Sequence, residues 1–112
     1  MLEKLNDRQT GALVDAFVSL QSRDDCANFL EDLCTIGEIK SLAQRLEVAR
    51  LLEEGLVYSE IAQRTGSSTA TISRVKRCLD YGNGGYRTVL DALTEGKEQG
   101  VVMPTLPTFM TC

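Results

Sequence analysis

The amino-acid sequence predicts an all-α protein of about six helices with a helix-turn-helix near its middle. Three observations lead there. Apolar residues recur at i, i+3 and i+4 in successive segments from Ala12 to Leu93. Capping residues and glycines punctuate those segments where helices start and stop. Between them, Tyr58 to Arg77 reads as two short helices across a tight turn.

The first helix begins after Asn6 or Asp7, either of which can cap it, and Ala12, Leu13, Ala16, Phe17 and Leu20 form its apolar stripe. It is expected to end near Arg23. Asp24 or Asp25 then caps a second, short helix whose inner face is Cys26, Phe29, Leu30 and Leu33. Thr35-Ile36-Gly37-Glu38 has the form of a capping box, in which the threonine bonds forward and the glutamate reaches back. A long third helix follows, with Ile39, Leu42, Ala43, Leu46, Ala49 and Leu52 as its stripe and Gly55 as its stop. Lys40, Gln44, Glu47 and Arg50 fall outside that stripe and are expected in solvent.

Leu56 and Val57 connect this strut to the bihelical unit, 58–79. Ile61 is the apolar anchor of its first helix, Ala62 the small contact residue and Gly66 the turn residue able to take a positive φ. Ser68 is suited to cap the second helix, which Ile72, Val75 and Leu79 anchor. Val57 stands where such units often carry a Ser or Thr cap, and Tyr58 is expected to pack on the strut. The second helix is expected to stop near Tyr81, in the turn cluster Asp80-Tyr81-Gly82-Asn83-Gly84-Gly85. Tyr86, Val89, Leu90 and Leu93 mark a last helix ended by Gly96. The domain then spans 1–96, and 97–112, with Pro104 and Pro107, reads as an extended or mobile tail.

At 100° per residue, Ile72, Val75 and Leu79 share one face of the second bihelical helix, so Ala70, Ser73, Arg74 and Arg77 centre on the other. Short side chains let a backbone approach DNA closely, and arginines bond guanine edges or phosphates. The alternative is an ordinary solvated face. The candidate DNA-binding residues are Ser67, Ser68, Thr69, Ala70, Thr71, Ser73, Arg74 and Arg77.

The chain has 112 residues, a formal net charge of −4 and 43% hydrophobic residues, which suits one soluble globular domain. Net acidity runs against a nucleic-acid partner, but four basic residues between Ser59 and Cys78 meet only Glu60, so the bihelical unit is locally basic. No apolar run is long enough for a membrane span and the first residues lack a signal-peptide apolar region, so a cytoplasmic location is expected. Four cysteines without a C-x-x-C pair, and no histidine, argue against a zinc site, and no metal ligand or cofactor is expected. Neither a nucleophile paired with a base nor a phosphate-binding loop is recognisable, so no enzyme activity is expected.

Two stretches resemble the Trp repressor superfamily. Arg45-Leu46-Glu47-Val48-Ala49-Arg50-Leu51-Leu52-Glu53-Glu54-Gly55 is similar to its strut helix, and Gly66-Ser67-Ser68-Thr69-Ala70-Thr71-Ile72-Ser73-Arg74 to the start of its recognition helix. The resemblance covers Phe29 to about Leu93. It implies an intertwined homodimer with two reading heads, a palindromic double-stranded DNA operator and repression of transcription. In the tryptophan-sensing members two arginines sandwich the indole, and the corresponding residues are Arg45 and Arg74. The family's glycine after the second arginine is replaced by Val75, a side chain able to fill the ligand's space, which disfavours L-tryptophan as corepressor. The opening Tyr58-Ser59-Glu60-Ile61-Ala62 also resembles the promoter-reading domain of sigma factors. That similarity leaves a module docking on transcription machinery as the alternative function.

Overall fold

A computed structural model of the chain describes residues 7–98, with side chains described as far as Thr94. Among the described residues there are six helices and no strand: α1 (Arg8–Ser19), α2 (Arg23–Leu33), α3 (Ile36–Glu53), α4 (Tyr58–Thr65), α5 (Thr69–Tyr81) and α6 (Gly85–Glu98). They fall into two compact units that divide within α3, after Lys40.

The first unit holds α1, α2 and the opening of α3. Asp7 caps α1 by accepting from the Thr10 amide and the Thr10 hydroxyl, both at 2.8 Å. Those two bonds hold its carboxyl below the ordinary aspartate value. The helix ends at Ser19, four residues short of the position expected from the apolar stripe. Ser19 Oγ donates back to the Ala16 carbonyl at 2.7 Å, and Leu20 turns extended. The cap of α2 is Ser22, which accepts from the Asp25 amide at 3.0 Å. Asp24 and Asp25 therefore lie inside the first turn, where their charge favours the helix dipole, and neither is the cap. Phe17 and Phe29 meet edge to face with centroids 5.2 Å apart, a contact worth about 1 kcal/mol. No residue of α1 or α2 is buried, and Leu13, Val14, Phe17 and Val18 lie exposed. The α3 capping box is present as expected: the Glu38 amide donates to Thr35 Oγ1 at 3.1 Å and the Thr35 amide to Glu38 Oε1 at 2.8 Å.

The second unit is built on one core of Val48, Ala49, Leu51, Ile61, Ile72, Val75, Leu79 and Leu90. Leu46, Leu52, Leu56, Ala62 and Tyr86 pack against it. The α3 residues that it takes match the expected stripe only in part: Ala49 is buried and Leu46 and Leu52 pack against the core as expected, but Val48 and Leu51, outside the stripe, are buried too and Leu42 is exposed. Apolar residues lie on more than one side of α3, so periodicity alone does not choose the inner face, and packing against Ile61, Ile72 and Val75 does. Gly55, at φ +88°, ends this helix in a Schellman motif, with Leu56 N–H donating to the Leu51 carbonyl and Gly55 N–H to that of Leu52. Tyr58 is 36% exposed and is not among the side chains packed on the core. Helix α6 runs through Gly96 to Glu98. Beyond Glu98 the expected tail lies outside the described residues, as do Asn6 and Cys112.

Candidate nucleic-acid interface

The bihelical unit is held by anchors, a turn and a cap. Ile61 from α4 and Ile72, Val75 and Leu79 from α5 are all buried, and each fully buried side chain of this size contributes about 1.5–3 kcal/mol. The caps contribute about 1 kcal/mol each, so the anchors set the fold of the unit and the caps set its ends. Gly66 takes φ +74° and donates its N–H to the Ala62 carbonyl at 2.9 Å, closing α4. Val57 precedes α4 without a side-chain cap bond, as its apolar side chain requires. Ser68 Oγ accepts from the Thr71 amide at 3.2 Å and so starts α5.

Long-range bonds fix this unit on α3 and α6. Gln44 Nε2 donates to the Thr65 carbonyl at 3.0 Å, which places Gln44 against the turn and corrects its expected place in solvent. At the other end of α5, Arg87 from α6 pairs with Glu53 of α3 at 2.5 Å, and its second terminal nitrogen donates to the Leu79 carbonyl at 3.4 Å. The end of α4 is thus tied to α3, and the end of α5 to α6.

Seven of the eight candidate residues leave their side chains at least partly open to solvent. Thr69, Ala70, Ser73, Arg74 and Arg77 are exposed, and so is the capping Ser68. Thr71 is half-buried, its hydroxyl 3.1 Å from that of Ser68. Ser67 is the exception and a correction. It is only 6% exposed, and its hydroxyl lies 2.9 Å from Thr65 Oγ1, which also accepts the Ser67 amide. Its side chain belongs to the turn.

Charge pairing separates the basic residues of this unit. Arg64 pairs with Glu60, Lys76 with Asp80, and Arg50 with Glu47 and Glu54, which raise its pKa above the ordinary arginine value. Arg74 and Arg77 have no carboxylate partner among the described residues. They stand on the exposed face of α5 with all their guanidinium donors available. Arg45 donates to the Ser41 carbonyl at 3.4 Å.

The two residues at the expected effector positions both act electrostatically on Tyr86. Burial pushes Tyr86 above the ordinary tyrosine pKa, while Arg45 and Arg74 pull it down and the Cys78 thiol pushes it up. Tyr86 is half-buried against the core, so an aromatic ring of the chain itself lies in the field of both guanidiniums.

Sequence reasoning missed Gln44 and Arg87, whose roles depend on residues far away in the chain. It also missed Tyr81, which 100° spacing places on the same face as Ala70, Arg74 and Arg77. Among the described residues no group of three or more His, Cys, Asp or Glu could hold a metal ion, and Cys26, Cys34 and Cys78 are free thiols. Among the same residues, no helix is long and apolar enough to cross a membrane.

Six helices carrying a capped bihelical unit with an open basic face define a helix-turn-helix protein of the DNA-binding transcription regulators. The family described as Trp repressor protein matches residues 8–94, and the chain belongs to it. The uncharacterized protein YerC of Bacillus subtilis (strain 168) is 53% identical over 94 residues, covering 84% of this chain and 90% of that one. A Trp operon repressor homolog of Chlamydia trachomatis serovar L2 is 35% identical over 80 residues, covering 67% and 85%. The crystal structure of a TrpR-like protein from Eubacterium eligens ATCC 27750 superposes with a TM-score of 0.78 at 50% identity, covering 82% of this chain and 95% of that one. Members of this family regulate transcription and are not enzymes.

Proposed function

We propose that this protein is a sequence-specific repressor that binds a palindromic operator as a homodimer in the cytoplasm and blocks transcription by occupying the site. The observation that carries the reading is α5 itself. Its Ser68-capped start presents Thr69, Ala70 and Ser73, and its open face carries Arg74 and Arg77 free of carboxylates. In this docking mode the first residues of the recognition helix meet base edges in the major groove, and arginines bind guanine or phosphate. Phosphate contacts supply affinity and base contacts supply preference.

Dimerisation gives the apolar side chains of the first unit somewhere to go. Leu13, Val14, Phe17, Val18 and Leu33 are exposed in the single chain, and a second copy placed as in the intertwined family dimer covers such surfaces. Two heads then meet successive major grooves about 34 Å apart, which calls for an operator with two-fold symmetry.

The head works without tryptophan bound in the family manner. Val75 is fully buried in the core at the position of the family's space-giving glycine, and Arg45 and Arg74 already act electrostatically on Tyr86 of the chain itself. Micromolar tryptophan binding in a calorimetric titration would overturn this part of the reading. The operator reading is tested by selecting bound duplexes from a random pool, with and without an amino-acid mixture. A two-fold symmetric consensus recovered equally in both arms is the expected result. Recovery of polymerase in a pull-down, with no shift of DNA at low salt, would make the bihelical unit a protein-docking module instead.

A further inference from the structure

The last residue of α5 is its most conspicuous surface feature. Tyr81 is 86% exposed, while Tyr86 is half-buried and Tyr58 is 36% exposed. Its phenol has no hydrogen-bond partner among the described residues. On a helix of 100° per residue, Ser73, Arg77, Ala70, Tyr81 and Arg74 fall within about 100° of arc, so Tyr81 lies in the middle of the face already assigned to DNA. Eleven residues at 1.5 Å each put it about 16 Å along the axis from Ala70.

That distance decides what it can touch. The major groove is about 12 Å wide, so with the start of α5 over base edges the far end has left the groove floor and lies over the sugar-phosphate backbone. A phenol there meets phosphate oxygens and no base edge. Its O–H is a donor, and Arg74 and Arg77 on the same face draw the negative backbone toward it.

We propose that Tyr81 donates its phenolic O–H to a DNA backbone phosphate at the edge of the groove and so fixes how far α5 advances along it. This rests on the DNA-binding reading above. The contact is neutral on the protein side, so it releases no condensed counterion and carries no base preference. It therefore has a signature different from that of the arginines beside it.

The experiment compares the wild-type chain, Tyr81→Phe, Tyr81→Ala and Arg77→Ala on the selected duplex and its single-base variants across a salt series. Tyr81→Phe is expected to weaken binding about tenfold on every duplex, with the slope of log affinity against log salt unchanged. Arg77→Ala is expected to lower that slope by about 0.9 for each lost phosphate contact. Tyr81→Phe binding like the wild type would overturn the proposal, as would a changed base preference at one position. A shifted sedimentation of free Tyr81→Ala would overturn it too, by assigning the ring to a protein contact. If the wild-type chain retains no duplex, the DNA reading falls and this proposal with it. If the wild type binds and Tyr81→Phe matches it, only the phenol's role falls.

Discussion

Gln44 and Thr65 are twenty-one residues apart in sequence and joined by a single 3.0 Å hydrogen bond, from the amide nitrogen of one to the backbone carbonyl of the other. The bond is partly buried and satisfies an orphan carbonyl at the end of α4. Gln44→Ala should lower stability by about 1 kcal/mol, the net worth of one such bond. Gln44→Glu should cost more, because a carboxylate then faces a carbonyl with no donor between them. Denaturant unfolding at fixed protein concentration checks both, and equal stability of Gln44→Glu and the wild type would count against the role given to this bond.

Gly66 is the turn residue that no other side chain replaces cheaply. Its φ of +74° is in the left-handed region, and a Cβ added there would find its nearest neighbour, Gln44 Nε2, 4.0 Å away. The cost of Gly66→Ala is therefore backbone strain without a clash, about 1–2 kcal/mol. Thermal unfolding should show that loss, with DNA sequence preference retained by the folded fraction.

Arg74→Ala and Arg77→Ala should weaken duplex binding and flatten its salt dependence, since neither arginine has another charge to answer to. Thr69→Ala and Ser73→Ala should change which sequences are selected, with little effect on the salt slope. Ser67→Ala belongs to neither group. Its buried hydroxyl sits with Thr65, so its loss should appear in stability and leave selection unchanged. Filter binding, selection and thermal unfolding of the same five variants separate the three outcomes.

The Asp7 cap of α1 should fail in acid. The folded carboxyl sits below its ordinary value of 3.8 because it accepts from the Thr10 amide and hydroxyl. A lowered folded pKa contributes stability above the unfolded value and loses it as pH falls through the folded one. Hydrogen exchange at the Thr10 amide should therefore speed up below about pH 4 beyond its intrinsic pH trend. Asp7→Asn keeps a capping oxygen and should remove that pH dependence.

The parts of this fold that could be read from the sequence are those decided within a few residues. Ser68, Gly66, the Thr35–Glu38 box and the spacing of Ile61, Ile72, Val75 and Leu79 each act over one or two helical turns, and all stand where the sequence places them. The start of α2 is local as well, for Ser22 three residues before Asp25 is a stronger cap signal than either aspartate. The inner face of α3, the burial of Ser67 and the bonds made by Gln44 and Arg87 depend on partners twenty or more residues away or on the packing of whole helices. Residue type and spacing carry no trace of these. The functional face was legible because exposure on a helix is periodic. Its charge pairing was legible too, since Asp80 stands at i+4 from Lys76 and no acidic residue stands at i±3 or i±4 from Arg77 except Asp80 itself.

That pairing bears on how the protein finds its site. With Arg64 and Lys76 held by their own carboxylates, two arginines per head remain on the open face of α5, so a dimer would displace about four counterions and show a log–log salt slope near −4. A slope so shallow means a weak hold on random sequence, even at modest ionic strength. The vast excess of ordinary chromosomal DNA would then sequester few molecules, and a small cellular supply would suffice to keep one operator occupied.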